Sequence, residues 1–125
     1  MKSTAGLQSY SNVQYGAHVG VASPHKLILM LFDGALERIQ QAQGAIQFGN
    51  AELRGKRINS AIAIVGGLRE SLNTDAGADL AKNLDELYQY IQVVLAKAHR
   101  TADTALLSEA TTLLNEIASA WREIG

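Results

Sequence analysis

Ser23-Pro24-His25-Lys26-Leu27-Ile28-Leu29-Met30-Leu31-Phe32-Asp33-Gly34-Ala35-Leu36-Glu37-Arg38-Ile39 decides the fold of this chain. Ser23 is a helix N-cap and Pro24 fits the first helical position, where a missing N–H costs nothing. Six apolar residues, Leu27 to Phe32, then follow without interruption. A helix turns about 100° per residue, so such a run goes all the way round it. A surface helix needs only one apolar stripe. That end of the helix is therefore either covered on every side by its own chain or kept for a partner.

Working outward, the stripe of this helix is Ile28, Phe32, Ala35, Ile39, Ala42 and Ile46, and Gly49-Asn50 supplies a stop and the next cap. A second segment, from about Ala51 to Leu72, carries Ile58, Ala61, Val65, Leu68 and Leu72. It includes Gly66-Gly67, two residues that disfavour helix by about 2 kcal/mol together. The stripe resumes in phase at Leu68, so the helix is kept. Asn73 to Gly77 reads as a turn. A third segment, Ala78 to Arg100, carries Leu80, Leu84, Leu87, Ile91, Val94 and Ala98. Thr101 to Asp103 is the next turn. The fourth carries Leu106, Ala110, Leu113, Ile117, Ala120 and Ile124, with Leu107, Leu114 and Trp121 beside them.

Four segments share a period of about 3.5 residues and are joined by short turns, which force neighbours antiparallel. The expected fold is all-α: an antiparallel up-down-up-down four-helix bundle over residues 23–125. Residues 1–22 read as a tail, partly ordered and able to dock on the bundle. They hold Tyr10, Val13, Tyr15, Val19 and Val21, more apolar surface than a solvating tail carries.

The chain has 125 residues, a formal charge of −1 and no cysteine. A chain of this length buries about two thirds of its unfolded surface, enough for one independent core. The charge gives no field for nucleic acid, and the cluster Arg54, Lys56, Arg57 reads as a solvated helix edge. No stretch approaches the ~20 apolar residues of a membrane span, so no membrane insertion is expected. Met1 to Tyr10 has no apolar run and is not a secretory signal.

Catalytic chemistry is not expected. A di-metal carboxylate bundle needs Glu-x-x-His on two helices, and no such pair occurs. His18, His25 and His99 form no metal-ligand spacing, so neither metal nor cofactor is expected. The glycines build no phosphate loop. One alternative is a histidine phosphotransfer-type four-helix signalling domain, with His99 in Lys97-Ala98-His99-Arg100 as the carrier.

The surplus apolar residues point elsewhere. With Ala35 at the centre of the first stripe, Leu29 lies about 120° and Met30 about 140° away, on opposite sides. On the third helix Tyr90 lies about 100° and Val93 about 160° from Ile91. On the second, Ser60, Ala63, Ile64 and Gly67 share a face expected to turn away from the core. Together with Tyr10 and Tyr15 of the tail, Leu29, Met30, Ile64, Tyr90 and Val93 are the candidate client-binding residues. An amphipathic helix or extended apolar segment is the natural ligand for such a surface.

With these residues in view, the chain resembles the flagellin-specific flagellar export chaperones (the FliS-like family). The resemblance rests on Ala22-Ser23-Pro24, on Leu27 to Leu31 running into Phe32-Asp33-Gly34-Ala35, and on Ser71-Leu72, Asn83-Leu84, Leu87-Tyr88-Gln89-Tyr90 and Trp121. It extends from Tyr10 to Trp121. The departures are Phe32 where the family usually has tyrosine, Gln89 where it often has an acid, and Gly66-Gly67 where helix formers are usual. The resemblance implies an antiparallel helical chaperone of the bacterial cytosol; a monomer or weak homodimer is the expected state. It implies that the C-terminal segment of flagellin is held unpolymerised and delivered to the flagellar export gate.

Overall fold

The computed structural model describes residues 23–72 and 78–124. They form four helices, α1 (Pro24–Gln47), α2 (Ala51–Glu70), α3 (Ala78–Thr101) and α4 (Thr104–Glu123). Each packs against the next, and α4 returns to α1, while the diagonal pairs meet only through core side chains such as Phe32 and Tyr88. The helices stand at the corners of a square, so every helix buries an arc facing two neighbours and the central core.

Local chemistry sets the boundaries. The Ser23 hydroxyl accepts from the Lys26 N–H at 3.2 Å, with Pro24 in the first turn. Asn50 Oδ1 accepts from Leu53 N–H at 3.0 Å, and Asp103 Oδ1 accepts from Ala105 N–H at 2.8 Å. Each satisfies a backbone donor that the first helical turn leaves unpaired. The tail expected over residues 1–22 and the turn at 73–77 lie outside the described residues.

The core runs through Phe32, Ile39, Ile58, Leu68, Ile91, Leu95, Leu107 and Leu114, all buried. Gly66 and Gly67 are helical, and a Cβ at either position would meet its neighbours only at ordinary contact distance. A Cβ on Gly66 would stand 3.5 Å from Gln92 Nε2, and one on Gly67 3.8 Å from Leu31 Cδ1. Gln92 also donates to the Ile62 carbonyl at 3.1 Å, tying α3 to the α2 backbone.

Several expected core positions are corrected. On α4 the buried residues are Leu107, Ala110, Leu114 and Ala118, while Ala120 is exposed and Leu106, Leu113 and Ile117 are only half-buried. The inward face is turned part of a residue step from the expected one. Leu80 and Ile124 keep the phase of their stripes but are 64% and 73% exposed. Both sit on terminal turns of their helices.

Candidate functional site

At the end of the bundle where α1 begins, the helices do not close on one another. A cavity of about 220 Å³ opens there. Ile28 and Phe32 of α1 form one wall, Leu80, Leu84 and Tyr88 of α3 another, and Ile117 and Trp121 of α4 the third. The end of α2 contributes Ser71 and Leu72. Leu80 stands at the mouth, its side chain largely in solvent.

Tyr88 lies tilted against Phe32, with ring centroids 6.5 Å apart. Burial pushes its phenol up to about 12, so it stays neutral and is a hydrogen-bond donor throughout the physiological range. Among the described residues its hydroxyl has no hydrogen-bond partner, which leaves a polar handle on an apolar wall. Trp121 is fixed from outside. Its ring stacks on His25 at 4.9 Å and its indole N–H donates to the His25 carbonyl at 3.0 Å. The start of α1 is thereby bound to the end of α4.

From this cavity a seam of half-buried aliphatic residues runs along the α3–α4 contact, with Leu84 and Leu87 on one side and Leu106, Leu113 and Ile117 on the other. They pack on the core with one flank and meet solvent with the other. Further along, Tyr90 reaches across the seam and donates its hydroxyl to the Glu109 carboxylate. That hydrogen bond, reinforced by the charge of Glu109, holds the phenol above its ordinary value.

The expected client residues do not form one surface. Tyr10 and Tyr15 lie outside the described residues. Leu29 and Met30 are half-buried. Leu29 shares its flank of α1 with His25 and Asp33, which touch α4 through Trp121 and Arg122. Met30 lies on the opposite flank, toward α2. Ile64 is corrected outright: it is only 7% exposed and belongs to the core. The face of α2 that carries it lies against α1, as the approach of Leu31 to Gly67 one turn later shows. The helix buries an arc wider than a single stripe, and Ile64 falls within it. Tyr90 and Val93 are exposed as expected, at 49% and 64%. Val93, however, stands between the polar positions Gln89, Lys97 and Arg100 on the outward face of α3, where a single apolar side chain is ordinary.

His99 is not presented as a phosphate carrier. Its Nδ1 accepts from Arg54 Nε at 3.3 Å, and its Cε1 lies 3.0 Å from where a Cβ on Gly55 would stand. The ring is pressed on the α2 backbone. Among the described residues no group of three or more acidic, histidine or cysteine side chains is placed to hold a metal ion. None of the helices is long and apolar enough to cross a membrane.

The architecture is that of an all-α four-helix bundle with an apolar cavity at one end and a half-buried apolar seam along α3 and α4. The family model for the flagellar protein FliS matches residues 6–125, and the chain belongs to that family. It is 42% identical over 121 residues to the flagellar secretion chaperone FliSB of Pseudomonas aeruginosa, covering 97% of this chain and 96% of that one. It is 38% identical to the flagellar secretion chaperone FliS of Vibrio cholerae, covering 94% and 87% of the two chains. With FliS of Salmonella typhimurium it shares 36% identity over 99% and 93%.

Proposed function

We propose that this FliS-family chaperone binds the C-terminal segment of flagellin in the bacterial cytosol, holds it unpolymerised and delivers it to the flagellar export gate. The observation that carries this reading is the open apolar cavity at Leu80, Tyr88 and Trp121, continued by the α3–α4 seam. A segment that forms a helical assembly in a filament carries apolar stripes that must be covered beforehand. A groove of half-buried leucines receives such a stripe, and the Tyr88 hydroxyl bonds a polar group of the incoming chain. Binding energy alone does the masking, without nucleotide hydrolysis.

The tail, residues 1–22, fits the same reading as a self-docking cap that covers apolar surface when the client is absent. Leu80, Leu84 and Ile117 join Leu29 and Tyr90 as client contacts in this proposal. Titration of the full chain with a flagellin C-terminal peptide should give about one site per protein and a negative heat-capacity change from apolar burial. Leu80→Asp should weaken binding at least about tenfold, or 1.4 kcal/mol, with little change in melting temperature. Absence of binding to any flagellin segment would sink the proposal.

A further inference from the structure

The opposite end of the bundle carries a second feature that client binding does not use. Phe48, in the turn between α1 and α2, is 88% exposed. The backbone holds it there. Gly49 adopts φ +70°, its N–H donates to the Ile46 carbonyl at 3.1 Å, and the Asn50 N–H donates to the Ala45 carbonyl at 2.8 Å. This pair of bonds is a Schellman closure, so the phenyl ring is presented by a rigid turn rather than a loose loop. Beside it lies a shallow cleft of about 400 Å³, floored by Gly44, Ala45 and Leu53 and edged by Gln41 and Arg57. Nothing lies within 4 Å of where a Cβ on Gly44 would stand, so the floor is open.

The charge at this end is one-sided. The antiparallel topology gathers the end of α1, the start of α2, the end of α3 and the start of α4. Within two turns of that end they carry Arg54, Lys56, Arg57, Lys97 and Arg100 against three carboxylates, Glu52, Asp103 and Glu109. All three are engaged, Glu52 with Lys56 at 3.4 Å, Asp103 with the Ala105 N–H and Glu109 with the Tyr90 hydroxyl. Arg57, which edges the cleft, has no ion pair or hydrogen bond among the described residues. The chain as a whole is slightly acidic, so this positive end is a local arrangement.

We propose that the Phe48 turn is a docking site for an acidic segment of a second protein, one that inserts an apolar side chain beside Phe48 and sets carboxylates against Arg57 and its neighbours. The cleft selects a side chain, which a lipid surface lacks. A lone aromatic ring without a stacking neighbour is a poor platform for nucleic-acid bases. The site lies a whole helix length, about 36 Å for the 24 residues of α1, from the client cavity, so the two can be occupied together.

The test is fluorescence anisotropy of the full chain with a labelled peptide of glutamates flanking a leucine-phenylalanine pair. A matching peptide with lysines for glutamates is the control. Saturable binding of the acidic peptide alone is expected, weakening as salt is raised from about 50 to about 300 mM. Phe48→Ser and Arg57→Glu should each reduce it at least tenfold, with unchanged circular dichroism, while Leu80→Asp at the client cavity leaves it intact. Affinity weaker than about 1 mM, equal binding of the lysine peptide, or indifference to Phe48→Ser would overturn the proposal. So would Phe48-dependent binding that is tighter to anionic phospholipid vesicles or to a single-stranded oligonucleotide.

Discussion

Gly49 and Ala102 occupy the same position in two copies of one turn. Each has a positive φ, +70° and +50°, and each is followed at once by the N-cap of the next helix, Asn50 or Asp103. In both turns that N-cap N–H reaches back five residues, to the Ala45 carbonyl at 2.8 Å and to the Ala98 carbonyl at 3.2 Å. The left-handed conformation is free for glycine but costs other residues about 1 kcal/mol.

The two positions should therefore respond with opposite signs. Ala102→Gly is expected to stabilise the bundle, and Gly49→Ala to destabilise it, each by about 1 kcal/mol. Urea denaturation of the two variants checks this. Equal destabilisation by both would show that the Ala102 turn is not held in the conformation described.

Ile64 and Val93 separate core from surface. Ile64→Ala should cost about 2–5 kcal/mol through the cavity it leaves. Val93→Asp, on a polar exposed face, should change stability by no more than about 0.5 kcal/mol. Thermal melts read both. Because Val93 lies away from the cavity and seam, Val93→Asp should also leave flagellin-peptide affinity nearly unchanged, whereas Leu80→Asp should not.

Arg69 joins α2 to α3 through Asp85, with Nε donating at 2.8 Å, while Gln89 donates to the other carboxylate oxygen at 2.8 Å. The hydrogen bond from Arg69, outweighing the desolvation that opposes it, holds Asp85 below its ordinary value. The folded state then binds its proton less readily than the unfolded chain. Its contribution to stability is fully present above the ordinary carboxylate pKa of about 4 and is lost as pH falls through the lower folded value. Both side chains are about a third exposed, so the pair is worth less than about 1 kcal/mol. Asp85→Asn should lower stability at pH 7, and the difference from the parent chain should shrink steadily in urea melts taken below about pH 4.

Element boundaries were legible in the sequence where chemistry is local: Ser23-Pro24, Gly49-Asn50 and Thr101 to Asp103 all mark ends by their own side chains and backbone. Facing was less so. Leu106-Leu107 and Leu113-Leu114 are doublets about 100° apart, and both members are equally apolar. Only the positions of α1 and α3 decide that Leu107 and Leu114 turn inward. Ile64 was missed for the same reason, since a helix at the corner of a square buries two flanks. The cavity is assembled from the ends of four separate segments, and no spacing within any one of them encodes it. The usable signal was the placement of Leu80 and Trp121, large apolar side chains on terminal turns where full cover is unavailable.

The tail supplies the last prediction. Residues 1–22 join the bundle at Ser23, the N-cap of α1, two residues before His25, which stacks on Trp121 at the cavity. Tyr15 is therefore tethered within about 29 Å of the cavity end even if the chain between is fully extended. A tethered segment acts at high effective concentration. If Tyr10, Val13 and Tyr15 dock on the apolar surface, they lower apparent client affinity by the fraction of time they occupy it. Deleting residues 1–17 should then raise the fluorescence of a hydrophobic dye or promote self-association. Flagellin-peptide affinity should change with it. Tighter binding identifies the tail as a competitor, and weaker binding shows that Tyr10 or Tyr15 also contacts the client. Unchanged affinity together with no newly exposed apolar surface would make the tail a passive extension and end this reading of its composition.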